Sequence, residues 1–444
     1  LGEPERSAAR AIVDLAIAAG ATEAEATYAV ADRFSTEARG SEIVKLEQSV
    51  ARGVTLRVFR DGAKATLSTS DLESESLRAF VAETVAAARH VAADAHAGLP
   101  DAAAFATDEP DLPTFAADVR ARAPEAKIES ALTLERIVRE TDARIVNSSG
   151  SRVADSTVTI ALANSHGFSG SYRASQVTAS STPIAQDGTS KRQGAYGAAS
   201  RSYAKLEAID AIARKAAGRA VASIGARKPA TMRCPVIFDR DVAAMILADL
   251  FTAASGASVA IGNSFLIGRE GERIGSDLAT IVDDGRLPDG LGTSPFDAEG
   301  VATRRTVVFE RGVLRSFLYD TYYARRLGAA STGNAAGGGI GPNNFYLEPG
   351  TMSPDDLIAA TRNGVFVTDT IGFATESVTG TYSRGARGFT IENGELAHPI
   401  DEFTIAGNLL AMLGALDAVA NDLVFDQPIV SPTMRIAEMT VSGS

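Results

Sequence analysis

Four histidines and one cysteine are all the imidazole and thiol chemistry in the chain: His90, His96, His166, His398 and Cys234. Hydrolytic zinc needs two imidazoles about a turn apart on one helix face and a carboxylate to activate water. His90 closes a helical stretch and His96 follows in a loop, so both read as surface or capping residues. His166, within Asn164-Ser165-His166-Gly167, sits where a hairpin turns. His398 precedes Pro399 on a strand and is the one histidine to test for a functional role. Cys234 opens a strand before Pro235 and reads as a small buried apolar residue. Asp283-Asp284 with Asp289, and Asp297 with Glu299, are oxygen donors of the kind that bind hard cations, although acidic surface loops look the same. The nucleophile elbow G-x-S-x-G, the P-loop, C-x-x-C and a complete G-x-G-x-x-G are missing. Gly337-Gly338-Gly339-Ile340-Gly341 lacks a strand-to-helix setting and reads as a flexible loop. No catalytic residue and no metal ligand is assigned within this chain.

The elements that must position these residues fall into repeated units. Apolar residues at helical spacing (Ile12, Val13, Leu15, Ala16) run to Gly20. Strand-like segments follow over 25–30, 42–48 and 53–59, and Asp61-Gly62 turns a hairpin into 64–68. Asp71 then caps a helix over about 72–90. Residues 97–123, with Pro100, Pro110 and Pro113, form a loop. A helix over 124–142, strands over 143–147, 152–164, 168–178 and 194–202, and a helix over 205–224 repeat the layout. The two units, 1–96 and 124–224, read as an internal repeat or as two halves of one large sheet. Gly225-Ala226-Arg227-Lys228-Pro229-Ala230 is the expected boundary, giving an N-terminal domain over 1–228 and a C-terminal domain over 229–444. In the latter, Asp239 or Asp241 caps an apolar helix to about Ala254, and further helices are expected near 319–327, 354–361 and 409–419 in an otherwise β-rich segment. The regular strand–helix alternation of a parallel sheet is absent, so the predicted class is α+β: repeated helix–antiparallel strands–helix units, then a β-rich domain with a few helices.

A chain of 444 residues exceeds one ordinary core. Its 45% hydrophobic and 22% charged content is that of a globular protein, and no apolar run approaches the roughly 20 residues that span a bilayer. Leu1–Arg6 has neither the basic start nor the apolar core of a secretory signal and lacks an initiator Met, so the start reads as trimmed. A single cysteine permits no internal disulfide, which fits a reducing cytoplasmic setting. The net charge of −12 repels phosphate backbones and argues against general nucleic-acid binding.

The most informative stretch runs from Gly372 to Asn408. Asn393-Gly394, between Ile391 and Leu396, is the preferred pair for a two-residue hairpin. Read by itself, this is a glycine-punctuated β-meander with ordinary turns. The run Ser383-Arg384-Gly385-Ala386-Arg387-Gly388-Phe389, then Ile391 to Glu395, Pro399-Ile400 and Thr404-Ile405-Ala406-Gly407-Asn408, resembles the C-terminal signature of the TldD/PmbA family. Two more blocks agree: Ser294 to Val301 followed by Arg304-Arg305, and Tyr323 to Gly328 leading to Ser331-Thr332-Gly333-Asn334-Ala335. Within the family the chain is similar to the PmbA (TldE) branch. Relatives of the TldD branch carry H-E-x-x-x-H on the helix after the strand that opens this domain. Here that helix reads Asp241 to Leu250 without histidine, and none occurs between His166 and His398.

The resemblance implies a metal-free subunit of a TldD/TldE-type metallopeptidase complex in the cytoplasm. A TldD-like partner would hold the zinc and extended peptides would be the substrates, while homodimer against heterodimer stays open for the chain alone. Glycine-rich backbone can accept an extended chain by main-chain pairing. Candidate contacts with peptide or partner are Gly333, Asn334, Ser383, Arg384, Gly385 and His398. Two alternatives stand beside this one: an independent hydrolase built around His398, and a protein-binding regulator of the DNA gyrase modulator type.

Arg384 separates two readings of the meander, because a guanidinium there serves either a bound carboxylate or an internal acid. If it serves a ligand, Arg384→Ala weakens partner affinity or complex activity with little change in melting temperature. If it serves the fold, the variant melts lower and the assembled complex stays fully active.

Overall fold

The computed structural model describes residues 2–107, 112–372 and 375–443. Pro110 of the inter-unit loop and Phe373 and Ala374 of the meander lie outside them.

The first unit comprises α1 (Glu3–Ala18), β1 (Glu23–Arg39), β2 (Glu42–Arg60), β3 (Ala63–Thr69) and α2 (Ser74–Ala88). The second comprises α3 (Asp118–Ala121), α4 (Pro124–Thr141), β4 (Ile145–Asn164), β5 (Ser169–Asp187), β6 (Ser190–Gln193), β7 (Tyr196–Ser200) and α5 (Ile209–Ala222). The two units share one sheet, because β1 pairs antiparallel with β4. Its order is β3-β2-β1-β4-β5-β6, with β7 also on β5. The helices cover one face. Ile12 and Val13 of α1 and Val81 and Val85 of α2 pack on Ala24, Ala26, Val54, Leu56 and Val58. Leu134 and Val138 of α4 and Ile212 and Ala216 of α5 pack on Ala38, Val153 and Ala179. Within each strand these are alternate residues, which places them on one side of the pleat.

Two differences from the sequence reading have a tertiary cause. Breaks expected near residues 48–53 and 147–152 do not occur, and β2 and β4 run straight through. Pairing of β1 with β2 from Glu23↔Phe59 to Arg39↔Glu42 satisfies backbone groups that local propensity leaves open. In β4 the irregular residues, including Gly150 at φ 137°, are absorbed as register shifts against β5. Near α2, Asp71 organises the preceding turn instead of capping the helix: its carboxylate accepts the Glu73 N–H at 3.1 Å, and the helix starts at Ser74. Both predicted two-residue turns form, with Asp61 and Gly62 at φ 51° and 82° and Asn393 and Gly394 at 54° and 84°.

Residues 223–231 lead from α5 into the C-terminal half. It begins with β8 (Met232–Phe238), α6 (Arg240–Ala254) and α7 (Gly256–Ala260). Then come β9 (Ile281–Asp284), β10 (Arg305–Glu310), β11 (Val313–Leu314), α8 (Thr321–Leu327), β12 (Ala335–Ala336), β13 (Gly339–Ile340), β14 (Phe345–Leu347) and α9 (Pro354–Ala359). Last are β15 (Asn363–Ile371), β16 (Thr381–Glu392), β17 (Glu395–Asn408), α10 (Leu409–Gly414), β18 (Leu416–Val419), β19 (Ile429–Val430) and β20 (Met434–Ser442). The helix expected over 409–419 stops at Gly414, and Leu416 to Val419 pair with β20 instead. A short apolar run fits either structure, and an available strand decides it.

Six of these strands form a sheet, β17-β16-β15-β8-β20-β18, which closes on itself because β17 also pairs with β20. A second sheet runs β11-β10-β9-β14-β19. Helix α6 touches both: Val242, Ile246, Leu247, Leu250 and Phe251 share a core with Val236, Val365, Ile405 and Met434 of the first and with Ile281, Val308 and Phe345 of the second. The fold is α+β. Among the described residues no helix is long and apolar enough to cross a membrane.

The halves meet at a buried polar seam. Arg57 of β2 donates to Glu25 of β1 at 2.7 Å and to Glu299 of the C-terminal half at 3.1 Å. Beside it Phe105, Phe168, Phe296 and Tyr172 stack edge-on or tilted, 5.0–5.3 Å apart. Arg201 is buried and donates to the carbonyls of Gly290, Leu291 and Thr293, and loss of water lowers it to about 10. Burial raises Glu25 to about 7 against the pull of Arg57, and the Glu299 charge adds to the rise. Burial raises Asp297 to about 8, again with Glu299 adding.

These shifts set the sign of a pH effect. Unperturbed, the two groups ionise at 4.5 and 3.8, so the folded state holds more protons than the unfolded state from there up to about pH 8. The contribution of both groups to stability is therefore full below that window and declines as pH rises through it. Thermal melts should give a higher Tm near about pH 5.5 than near about pH 8.5, and Glu25→Gln should narrow the gap. A gap unchanged in the variant would mean that Glu25 titrates normally.

Candidate functional site

The site is built around α6 and the meander beside it. Asp239 caps α6, its carboxylate accepting the Asp241 N–H at 2.7 Å. Residues 242, 243, 246, 247, 250, 251, 253 and 254 are buried, which leaves an open stripe of Asp241, Ala244, Met245, Ala248, Asp249 and Thr252. On that stripe the Asp249 carboxylate receives Arg384 Nη2 at 2.7 Å and Thr375 Oγ1 at 2.6 Å on the same oxygen. The side chains of Arg384 and Asp249 are only 11% and 21% exposed. The guanidinium also lies 5.5 Å from the centroid of the Tyr382 ring, and burial raises the Tyr382 phenol. Arg384 thus makes an internal ion pair that ties β16 to α6.

The other candidates fall in three places. Ser383 and Gly385 flank Arg384 on β16, opposite Ala406 and Thr404 of β17. A Cβ on Gly385 would meet only ordinary contact, 3.5 Å from the Ile371 carbonyl. On β16 a glycine is required at Gly388, where a Cβ would stand 1.9 Å from the Phe366 carbonyl. Asn334 is buried and donates to Asp283 at 2.7 Å and to the Gly341 carbonyl at 3.0 Å, pinning the 331–341 loop to β9. Gly333, at φ 76° and packed on Ala302, gives its carbonyl to Asn343. His398 is exposed on β17, its backbone N–H donating to Thr390. Seven residues separate it from Ile405, the partner of Arg384, which is about 20 Å along a strand. The 331–341 loop and the start of the meander both reach the α7 region: β13 packs on α7, and Phe265 donates its N–H to the Ser377 carbonyl.

The carboxylates named as cation donors are committed elsewhere. Asp283 accepts from Asn334 and twice from Asn343, and burial holds it at about 6. Asp297 accepts three backbone N–H groups, from Glu299, Val301 and Ala335. Asp289 pairs with Lys205 at 2.6 Å. His166 contacts the Pro100 carbonyl and Glu23, and His96 lies edge-on to Tyr322. Among the described residues no three His, Cys, Asp or Glu side chains form a group able to hold a metal. Sequence reasoning missed Asp249 and Thr375. Asp249 lies 135 residues from Arg384, and nothing local marks either as its partner.

Three successive domains of the PmbA/TldA metallopeptidases match the chain: domain 1 over residues 24–88, the central domain over 118–224 and the C-terminal domain over 231–443. The metalloprotease PmbA homolog of Haemophilus influenzae is 33% identical over 99% of this chain and 96% of its own length. Metalloprotease PmbA of Escherichia coli is 32% identical over 97% and 94%. A crystallised Bacteroides thetaiotaomicron protein, described provisionally as a modulator of DNA gyrase, superposes with a TM-score of 0.93, 27% identity and coverage of 100% and 99%. TldE from Thermococcus kodakarensis superposes at 0.90 with 22% identity over 98% of this chain and 100% of its own, a likeness of fold. A metallopeptidase family implies a metal, and the donors on α6 do not fit one. The open stripe offers no imidazole and two carboxylates, Asp241 paired with Arg219 at 2.8 Å and Asp249 paired with Arg384 and bonded to Thr375.

The ion pair is testable by a double-mutant cycle. Arg384→Ala and Asp249→Ala should each destabilise the chain, with a coupling energy of about 1.5–3 kcal/mol for a charged hydrogen bond largely out of water. Additive effects in denaturant melts would show that the two side chains do not cooperate.

Proposed function

This chain belongs to the PmbA/TldD metallopeptidase family, and from that premise we propose that it is the non-catalytic subunit of a two-chain peptidase. A TldD-like partner supplies the zinc and the water-activating carboxylate. The observation that carries this reading is the open stripe of α6, which has no histidine and whose two carboxylates are spent, Asp241 on Arg219 and Asp249 on Arg384 and Thr375. A zinc hydrolase needs imidazoles and a free carboxylate on such a helix face. Here the helix serves as scaffold. Its role in the complex is to complete the chamber and admit extended peptides in the cytoplasm, where glycine-bearing strands such as β16 can offer main-chain hydrogen bonds.

The alternative of a hydrolase centred on His398 draws no support from the geometry. The ring is exposed, and among the described residues no carboxylate or nucleophile is bonded to it. The gyrase description belongs to crystallised relatives such as the Bacteroides protein.

The purified chain should hold no stoichiometric zinc and show no chelator-sensitive peptidase activity. Mixing with a zinc-bearing TldD-type subunit should yield activity that chelators abolish. One tightly bound zinc per isolated chain, or chelator-sensitive cleavage by that chain alone, would sink the proposal.

A further inference from the structure

The face of the N-terminal sheet that bears no helices carries a polar groove of about 300 Å³ across β2, β1, β4 and β5. Its place follows from the pleat. Ala26 and Ala38 of β1 and Val153 of β4 lie under the helices, so Arg33, Ser35 and Arg152 point the other way. Ser35 stands opposite Ala154, with Arg33 two residues before it and Arg152 opposite Glu37, two residues after it. Both guanidiniums line the groove. Arg152 donates its Nε to Ser35 Oγ at 3.0 Å, which leaves its Nη groups and the Ser35 proton available. The acids nearby are engaged elsewhere. Glu47 at the outer rim pairs with Lys45 at 3.1 Å, and Asp155 pairs with Lys127 at 2.6 Å. The Glu37 carboxylate fills the space that a side chain on Gly150 would take. The chain has 55 acidic side chains for 43 basic ones. Yet among the described residues neither Arg33 nor Arg152 has a carboxylate partner.

We propose that this groove binds the C-terminal carboxylate of an extended peptide, with Arg33 and Arg152 as its anchors. A guanidinium meets a carboxylate through two parallel hydrogen bonds, stronger than those between neutral groups. The Ser35 hydroxyl, held by Arg152, donates between the two. The floor is small, Ala154 and Ser156, so the main chain of a ligand can lie close to the sheet. A carboxylate brings one negative charge, whereas a phosphate dianion brings a second one beside Glu47. From Arg33 the same face of β1 passes Ala31 and Ala29 to Glu25, about 26 Å along the strand, where the seam with the C-terminal half begins. A peptide anchored in the groove has a track of small side chains leading toward that half. The choice of a peptide as carrier of the carboxylate rests on the peptidase reading. The pair of open guanidiniums does not.

The test uses the full chain alone, with no zinc-bearing subunit, and a peptide of Ala, Ser and Gly of about eight residues, long enough to span the track. Its N-terminus carries a fluorophore, and its C-terminus is either a free acid or an amide. In anisotropy titrations the acid should bind at least about tenfold more tightly than the amide. Arg33→Ala and Arg152→Ala should each weaken the acid about tenfold and leave the amide unchanged, and the double substitution should erase the difference. Arg33 bonds to no other group, so Arg33→Ala carries the test alone if loss of Arg152 disturbs Ser35. Equal binding of acid and amide overturns the proposal. So does a preference that survives the substitutions in a chain with an unchanged circular dichroism spectrum, or displacement by inorganic phosphate as effective as that by unlabelled acid peptide. No cleavage is read, so a negative result leaves the metal-free subunit reading standing, and zinc found in the isolated chain would leave the binding result intact.

Discussion

Helix α6 is the constraint on which the C-terminal half depends. Eight of its residues, from Val242 to Ala254, are buried, and they face strands of both the closed sheet and the five-stranded sheet. Each large side chain among them contributes about 1.5–3 kcal/mol by leaving water. A helix so clasped has one narrow stripe left for chemistry. What that stripe carries decides what the domain can do, and it carries Asp249 in an ion pair. Breaking such a pair strands a charge in a dry place, whereas satisfying it lends the meander a fixed position. In this chain that position on the fold holds a brace between α6 and β16.

The seam between the halves follows a different logic. Two carboxylates, Glu25 and Glu299, share one guanidinium, and Asp297 is buried among backbone N–H donors. Each of these groups loses hydration on folding and recovers it only in part through hydrogen bonds. The halves are held in register by directional polar contacts and by an aromatic stack. That arrangement specifies geometry at some expense of stability, and it makes the junction sensitive to protons.

The N-terminal sheet shows the consequence of length. Strands of 17 to 20 residues, β1, β2, β4 and β5, outrun the helices available to cover them. The surplus becomes an open polar face on one side and an uncovered apolar row at the β2 edge on the other.

Much of this was legible in the sequence. Alternation of helical and strand periods gave the α+β class, and Asp61-Gly62 and Asn393-Gly394 marked tight turns because positive φ admits few residue types. The absence of histidine from α6 was visible as composition, and the family resemblance lay in the blocks around Arg384 and Asn334. Long-range pairing was not legible. Nothing near residues 48–53 or 147–152 announces that β2 and β4 continue, since their hydrogen bonds come from strands far away in the chain. The run after Gly414 fits a helix or a strand until β20 is there to receive it. Arg384 shows the same limit. Its type and its glycine neighbours suit a ligand contact as well as an internal one, and only the tertiary structure brings Asp249, 135 residues earlier, to pair with it. Local chemistry fixes what a residue is able to do, whereas tertiary structure decides which partner reaches it first.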